Sequence, residues 1–296
     1  QKVDSDCIIF DFPIEPTKQR NWEKLSKIPV FDRQEVILRI FAQRAQTREA
    51  VLQVALAQLE YSRPRLAHMY GDLARQRGGN YGSKGRGETQ LELDQRQVRQ
   101  KIQQLKKELA KVAKNRETQR KRRERSKIPL CSLVGYTNAG KSSLLNKLTG
   151  SEVLVENKLF ATLDPTTRKL FIQELGEILI SDTVGFINNL PHSLINAFKS
   201  TLEEAKKADL LLLIVDSSDE KAEEQFETCL NVLKEIGAAE KPYLVVLNKI
   251  DKVKENPLLL TKIEKEFPNA IKTSVKDESG INILLKEIAR HFLAQA

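Results

Sequence analysis

The 296-residue chain holds only three cysteines, one Met and one Trp. Cys7, Cys131 and Cys229 stand far apart without paired spacing, which excludes a disulfide framework and a zinc knuckle and points to the reducing cytosol. Long hydrophobic runs are missing too. The longest, Leu210 to Val215, has six residues, where a membrane helix needs about 20, so no membrane span is expected. Asp4 and Asp6 precede the first apolar patch, which is not the pattern of a signal peptide. The start at Gln1 rather than Met raises the expectation that the numbering begins inside a longer chain. What is present is ordinary for a core-forming protein: 40% hydrophobic and 30% charged residues exclude wholesale disorder, and the length suits two domains.

The charge is unevenly placed. Residues 1–128 hold 29 Lys+Arg against 16 Asp+Glu, a net of +13, whereas the remainder holds 20 against 24, a net of −4. Lys114 to Lys127 alone has eight basic and two acidic residues. Such a run repels itself and usually meets phosphate, so a nucleic-acid partner is favoured over a plain solvated helix face.

Patterning separates two regions. A strand-like patch (Cys7–Phe10) and a polar helix around Thr17–Leu25 come first. A helical pattern follows from Asp32 to about Tyr61, with Val36, Ile37, Ile40 and Phe41, then Val51, Ala55 and Leu59, as its stripe. Pro64 interrupts it, or kinks a continuation through Leu73. Residues 78–87 contain five of the 13 glycines, and no helix is expected there. After Glu88, Val98, Ile102, Leu105, Leu109 and Val112 form a heptad seam. Two long antiparallel helices joined by a glycine-rich tip result, with Arg75, Arg77, Lys84 and Arg86 around the tip and Tyr81 able to stack on a base. From Ile128 on, strand runs at Pro129–Val134, Lys169–Ile172, Ile178–Ser181, Leu210–Val215, Tyr243–Leu247 and Ala270–Val275 alternate with helical segments Ser193–Ala208, Glu220–Ile236 and Gly280–Ala294. The fold class is α/β, a mainly parallel, doubly wound sheet preceded by a smaller helical domain. The expected domains are 1–127 and 128–296.

The strand from Leu130 runs straight into Gly135, Tyr136, Thr137, Asn138, Ala139, Gly140, Lys141 and Ser142, a G-x-x-x-x-G-K-[ST] loop before a helix. Its backbone N–H groups cradle phosphates, Lys141 reaches the β- and γ-phosphates, and Ser142 coordinates Mg²⁺. Asp182, Thr183, Val184 and Gly185 follow the strand Ile178–Ser181; Asp182 can hold a Mg²⁺-bound water, and the Gly185 N–H can approach the γ-phosphate. Asn248, Lys249, Ile250 and Asp251 end a later strand. The Asp251 carboxylate matches the N1–H and N2–H₂ donors of guanine, which adenine lacks, so GTP is selected over ATP. Ser274, Val275 and Lys276 supply a backbone N–H for guanine O6. Between these blocks, Thr162, Thr166 or Thr167 should complete the Mg²⁺ shell. Phe186 stands where many GTPases place a water-orienting glutamine, so slow intrinsic hydrolysis is expected. Asn138 either helps hold a K⁺ ion beside the phosphates or simply caps the loop. The lone His68, His192 and His291 read as surface or packing residues.

The phosphate loop, Phe160–Arg168, Asp182–Phe186 and Asn248–Asp251, together with Asp32–Tyr61 and Gly85–Arg96 (GRGETQLELDQR), resemble the HflX family of GTPases. The resemblance covers nearly the whole chain. It implies a GTPase that binds the large ribosomal subunit and its rRNA and splits or recycles stalled ribosomes. A ribosome assembly factor and a regulatory GTPase with a protein partner are the alternatives. By the same resemblance Phe160, Ala161, Thr162, Leu163 and Asp164 form switch I, which favours Thr162 as the Mg²⁺ ligand beside Ser142. Lys141, Asn138, Thr162 and Gly185 are then the catalytic set. The expected protein is a cytoplasmic monomer, with partial membrane association left open; its expected cofactor is Mg²⁺, joined by K⁺ if Asn138 holds that ion rather than capping the loop.

Overall fold

The computed structural model describes residues 5–76, 84–125, 128–150, 160, 162–163, 165–188, 199–253 and 256–295. They form two compact units, one within Gln1–Arg116 and one within Glu117–Ala296. The two packing units meet at Arg116, inside a helix. Residues such as Lys, Arg, Gln and Glu favour helix without any apolar stripe, so the helix outlasts its seam.

In the first unit, β1 (Ile8–Phe10) and β2 (Val30–Asp32) pair in parallel, with α1 (Pro16–Ser26) between them in sequence. Three-residue β2 is too short for an alternation to reveal it. The expected helix from Asp32 to Tyr61 is two helices, α2 (Arg33–Arg44) and α3 (Arg48–Gln76). Ala45 turns extended at ψ 115°, and the Thr47 hydroxyl caps α3 by accepting from Ala50 N at 3.2 Å. Nor does Pro64 interrupt α3. Next to it, Arg65 donates to Tyr61 O at 3.1 Å and pairs with Asp32 at 2.9 Å, contacts that hold the turn where proline removes one ladder bond.

Asp32 is the hub of this unit. Its buried carboxylate caps α2 at Glu35 N (2.8 Å) and accepts from the Tyr61 hydroxyl (2.9 Å) and from Ile14 N (3.3 Å). Arg65 also lies over the Tyr61 ring and donates to Gln19 at 2.9 Å. The stripe of α3 differs from the expected one: Ala50, Val54, Ala57 and Tyr61 are buried, while Val51 is 49% exposed. The fourth helix, α4 (Lys84–Arg125), begins before Glu88. Gly85 and Gly87 are therefore helical, each at a cost of about 1 kcal/mol that the long helix behind them absorbs. Its seam agrees with the heptad reading, since Ile102 and Leu105 are buried and Val98, Leu109 and Val112 are half-buried. Ion pairs Arg48–Glu108 (3.5 Å) and Lys106–Glu60 (2.9 Å) join α3 and α4. Arg77 and Tyr81 lie outside the described residues, as do the side chains of Arg75, Lys84 and Arg86.

The second unit is a six-stranded sheet ordered β4-β5-β3-β6-β7-β8, formed by β3 (Leu130–Gly135), β4 (Thr166–Ile172), β5 (Gly176–Asp182), β6 (Leu210–Asp216), β7 (Tyr243–Asn248) and β8 (Ile271–Lys272). Only the β4–β5 pair is antiparallel. Among the described residues the unit's helices are α5 (Lys141–Thr149), α6 (Lys199–Lys207), α7 (Ala222–Glu235), α8 (Ile250–Val253), α9 (Pro257–Glu266) and α10 (Ile281–Leu293). Of the expected helix Ser193–Ala208, residues 193–198 lie outside the described residues. Central strand β6 is buried from Leu210 to Val215, as its unbroken apolar run requires of a strand covered on both faces. Each such side chain contributes about 1.5–3 kcal/mol. The expected strand Ala270–Val275 shrinks to β8: Thr273 N still bonds β7 at Leu247 O, but Ser274 N turns away to Ser279 O. Strand order reverses around β3, which has β5 on one side and β6 on the other. The loop between β3 and α5 opens at that switch point, where open α/β sheets bind ligands.

Candidate functional site

The loop that follows β3 needs glycine at both ends. A Cβ on Gly135 would stand 2.3 Å from the Ile214 carbonyl oxygen. At Gly140 the backbone is left-handed (φ 95°), and a Cβ would stand 2.3 Å from the Asn248 side-chain nitrogen. Lys141, 6% exposed, donates from Nζ to Gly135 O (3.2 Å) and Tyr136 O (2.9 Å). Burial lowers its pKa, against the pull of the Asp182 charge. Asn138 also adopts a left-handed conformation (φ 63°), one that Asn tolerates better than most residues.

Three oxygens crowd together beyond Lys141. Ser142 Oγ lies 2.6 Å from Thr162 Oγ1 and donates to Asp182 Oδ2 at 2.5 Å, and Thr162 Oγ1 donates to the same carboxylate oxygen at 3.0 Å. Asp182 is fully buried, and among the described residues its Oδ1 has no hydrogen-bond partner. Burial raises the carboxyl pKa; Lys141 and the two hydroxyls oppose that shift. A buried carboxylate with one orphan oxygen, beside two hydroxyls, is a hard-oxygen donor set of the kind Mg²⁺ takes. Among the three candidate threonines, Thr162 is the one whose hydroxyl meets Ser142 and Asp182. Thr166 and Thr167 belong to the β4 ladder.

The far end of the site is made by the ends of β7 and β8. Buried Asn248 donates to Ala139 O at 2.9 Å and accepts from the Thr273 hydroxyl at 3.3 Å. Lys249 Nζ reaches Asn138 O at 2.7 Å and pairs with Asp216 at 2.6 Å. Asp251 accepts from the Ser274 hydroxyl at 2.7 Å, which leaves its other oxygen for a ligand. A cleft of about 400 Å³ joins the two ends, lined by Thr137, Lys141, Thr162, Gly185, Asp251 and Lys276 among others. Tyr136 and Ala139 contribute backbone to the loop, and Phe160, Thr183 and Val275 line the cleft. Leu163, Val184 and Ile250 are buried and do not line it. Ala161 and Asp164 lie outside the described residues. Phe186 is 1% exposed, a core side chain whose backbone pairs with the loop through Phe186 N to Gly135 O and Thr137 N to Phe186 O.

Sequence reasoning did not single out Asp216, Ser143 or Lys252. Asp216 closes β6 in register with Asn248, the residue before Lys249, so its register offered the signal; Ser143 and Lys252 line the cleft with none. The described residues hold no cluster of metal-ligating His, Cys, Asp or Glu and no helix long and apolar enough to cross a membrane.

A phosphate loop braced from behind by an Asn-Lys-Ile-Asp corner, on a switch-point strand, places this chain among the P-loop GTPases, enzymes that hydrolyse GTP to GDP and phosphate and as a class depend on Mg²⁺. Three family models match along its length: a GTP-binding GTPase N-terminal region over residues 1–42, a GTP-binding GTPase middle region over 44–123 and a 50S ribosome-binding GTPase over 130–249. GTPase HflX of Akkermansia muciniphila is 50% identical over 291 residues, covering 95% of this chain and 67% of the relative. That of Escherichia coli K12 is 44% identical over 297 residues, with 98% and 70% covered. The chain belongs to the HflX family of GTPases and spans about two thirds of the length of these relatives. A solved GTP-binding protein from Sulfolobus solfataricus, in complex with GDP, is 27% identical with a TM-score of 0.55, covering 98% of this chain and 82% of that one.

Proposed function

We propose that this GTPase binds the large ribosomal subunit and its rRNA and uses GTP binding and hydrolysis to split or recycle stalled ribosomes in the cytoplasm, acting as a monomer. The match of residues 130–249 to a family described as 50S ribosome-binding carries the reading. The net +13 of residues 1–128, against −4 in the rest, supports assigning RNA contact to residues 1–127 and nucleotide chemistry to 128–296.

In the site, the loop N–H groups from Asn138 to Ser142 cradle the phosphates, and Lys141 turns its charge to the β- and γ-phosphates. Ser142 and Thr162 would hold Mg²⁺, with the Asp182 carboxylate directly behind both hydroxyls. When bound, Mg²⁺ neutralises charge on the phosphate oxygens. Gly185 offers its backbone N–H to the γ-phosphate. A Cβ there would stand 2.6 Å from Thr137 Cα and 3.1 Å from Lys141 Nζ, so glycine is needed for that approach. Asp251 accepts from guanine N1–H and N2–H₂, and the backbone of Ser274–Lys276 reaches O6. Buried Phe186 brings no polar atom to the attacking water, so turnover depends on the ribosome and, through Asn138, on K⁺.

The test is pelleting with large subunits across a salt series, using the wild-type chain and a variant with Arg75, Arg77, Lys84 and Arg86 replaced by Ala. Binding that falls steeply with salt and weakens in the variant, at unchanged nucleotide affinity, supports the reading. Equal, salt-independent pelleting favours a protein partner instead.

A further inference from the structure

Past Gly185 the chain is held at three points. Its backbone first runs beside the phosphate loop, with Tyr136 and Phe186 bridged in parallel. The Tyr136 hydroxyl then accepts from Asn188 N at 3.2 Å. Finally, the Asn188 side chain reaches α7, where its Nδ2 donates to Glu224 Oε1 at 2.7 Å and its Oδ1 accepts from the Thr228 hydroxyl at 2.7 Å. Both ends of the amide are used, a donor matched to a carboxylate and an acceptor matched to a hydroxyl. The single Thr228 proton is shared, since Glu224 O also lies 2.9 Å from its Oγ1. Nothing assigned to the nucleotide site explains these bonds.

We infer that Asn188 is a positioning residue for GTP hydrolysis: by bracing the Gly185–Asn188 segment between Tyr136 and α7, it fixes the direction of the Gly185 N–H. The inference rests on the reading that this N–H faces the γ-phosphate. Phe186 and Ile187, which connect the two residues, are 1% and 6% exposed. Packed side chains transmit a displacement rather than absorb it. The direction of one N–H matters most in the transition state, where charge develops on the γ-phosphoryl oxygens. GDP has no γ-phosphate, so its binding does not register the brace. Freed of Asn188, the segment should lose kcat and preference for a GTP analogue over GDP, while GDP affinity holds.

The experiment compares full-length variants by kcat, by the ratio of affinities for GDP and a non-hydrolysable GTP analogue, and by thermal melting. Asn188→Ala should lower kcat and that preference by a few-fold to about tenfold, the scale of one or two hydrogen bonds, with GDP affinity within about twofold. Asn188→Asp sets two carboxylates face to face and should be worse. Adding Glu224→Gln to Asn188→Asp restores a donor–acceptor pair with its direction reversed, and should recover most of the activity. Gly185→Ala tests the underlying reading separately, since it should remove the preference for the GTP analogue whatever Asn188 does. If Gly185→Ala behaves so and the Asn188 variants keep wild-type kcat, or lose GDP affinity and melting temperature in step with kcat, the positioning role is wrong. If Gly185→Ala keeps the preference, the reading of Gly185 itself fails.

Discussion

The side-chain amide of Asn248 donates to the backbone carbonyl of Ala139 at 2.9 Å, across 109 residues of sequence. One bond thus ties the Asn248–Asp251 corner at the end of β7 to the back of the glycine-bounded loop. Lys249 adds a second tie at Asn138 O while it is pinned by Asp216. The two halves of the nucleotide site are therefore built as one piece, which makes their separate substitutions informative.

Asp251→Asn should keep this bracing, because Asp251 bonds Ser274 and not the loop. It places an amide against the guanine donors, and GTP affinity should fall at least about a hundredfold, since sites built on buried hydrogen bonds reject a mismatched partner strongly. Titration with a fluorescent GTP analogue measures it. Unchanged affinity would remove the guanine assignment.

Asp182→Asn separates stability from function. The carboxylate is buried with one oxygen unpaired, and neutralising a buried charge relieves desolvation. The nucleotide-free variant should melt at or above the wild-type temperature, while Mg²⁺-dependent GTP binding weakens about tenfold or more. Melting curves and Mg²⁺ titrations check both halves.

The first unit offers a stability test at Asp32, which is 1% exposed and pairs with Arg65. Asp32→Ala leaves Arg65 without its partner and α2 without its cap, so a loss of about 3 kcal/mol is expected in urea unfolding. Tyr61→Phe deletes one bond to the same carboxylate and should cost about 1 kcal/mol.

How legible was all this beforehand? The sequence blocks that line one cleft stood out because particular residues recur there at fixed spacing. The heptad seam from Val98 to Val112 was plain as well, and its burial agrees. Legibility failed where tertiary contacts overrule local pattern. Val51 looked like core beside Ala55 and Leu59, yet the buried face runs through Ala50, Val54 and Ala57, because small residues let helices approach closely. Pro64 left a break or a kinked continuation open; the helix continues, with Arg65 bonded locally to Tyr61 O and at long range to Asp32. The Asn188 and Asp216 bonds join residues 40 and 33 positions from their partners, and no local pattern encodes such pairings.

Turnover should depend on what lies outside the chain. With Phe186 buried, the isolated protein should hydrolyse GTP slowly, and large subunits should accelerate it at least about tenfold. Exchanging KCl for NaCl tests the role of Asn138, and a rate that does not change removes K⁺ from the mechanism.

Co-sedimentation of the full chain with purified large ribosomal subunits, at one salt concentration, in the presence of either a non-hydrolysable GTP analogue or GDP, bears most directly on the nucleotide-controlled ribosome contact. The account predicts that most of the chain pellets with the analogue and little with GDP. Equal pelleting in both states, or none in either, would contradict it.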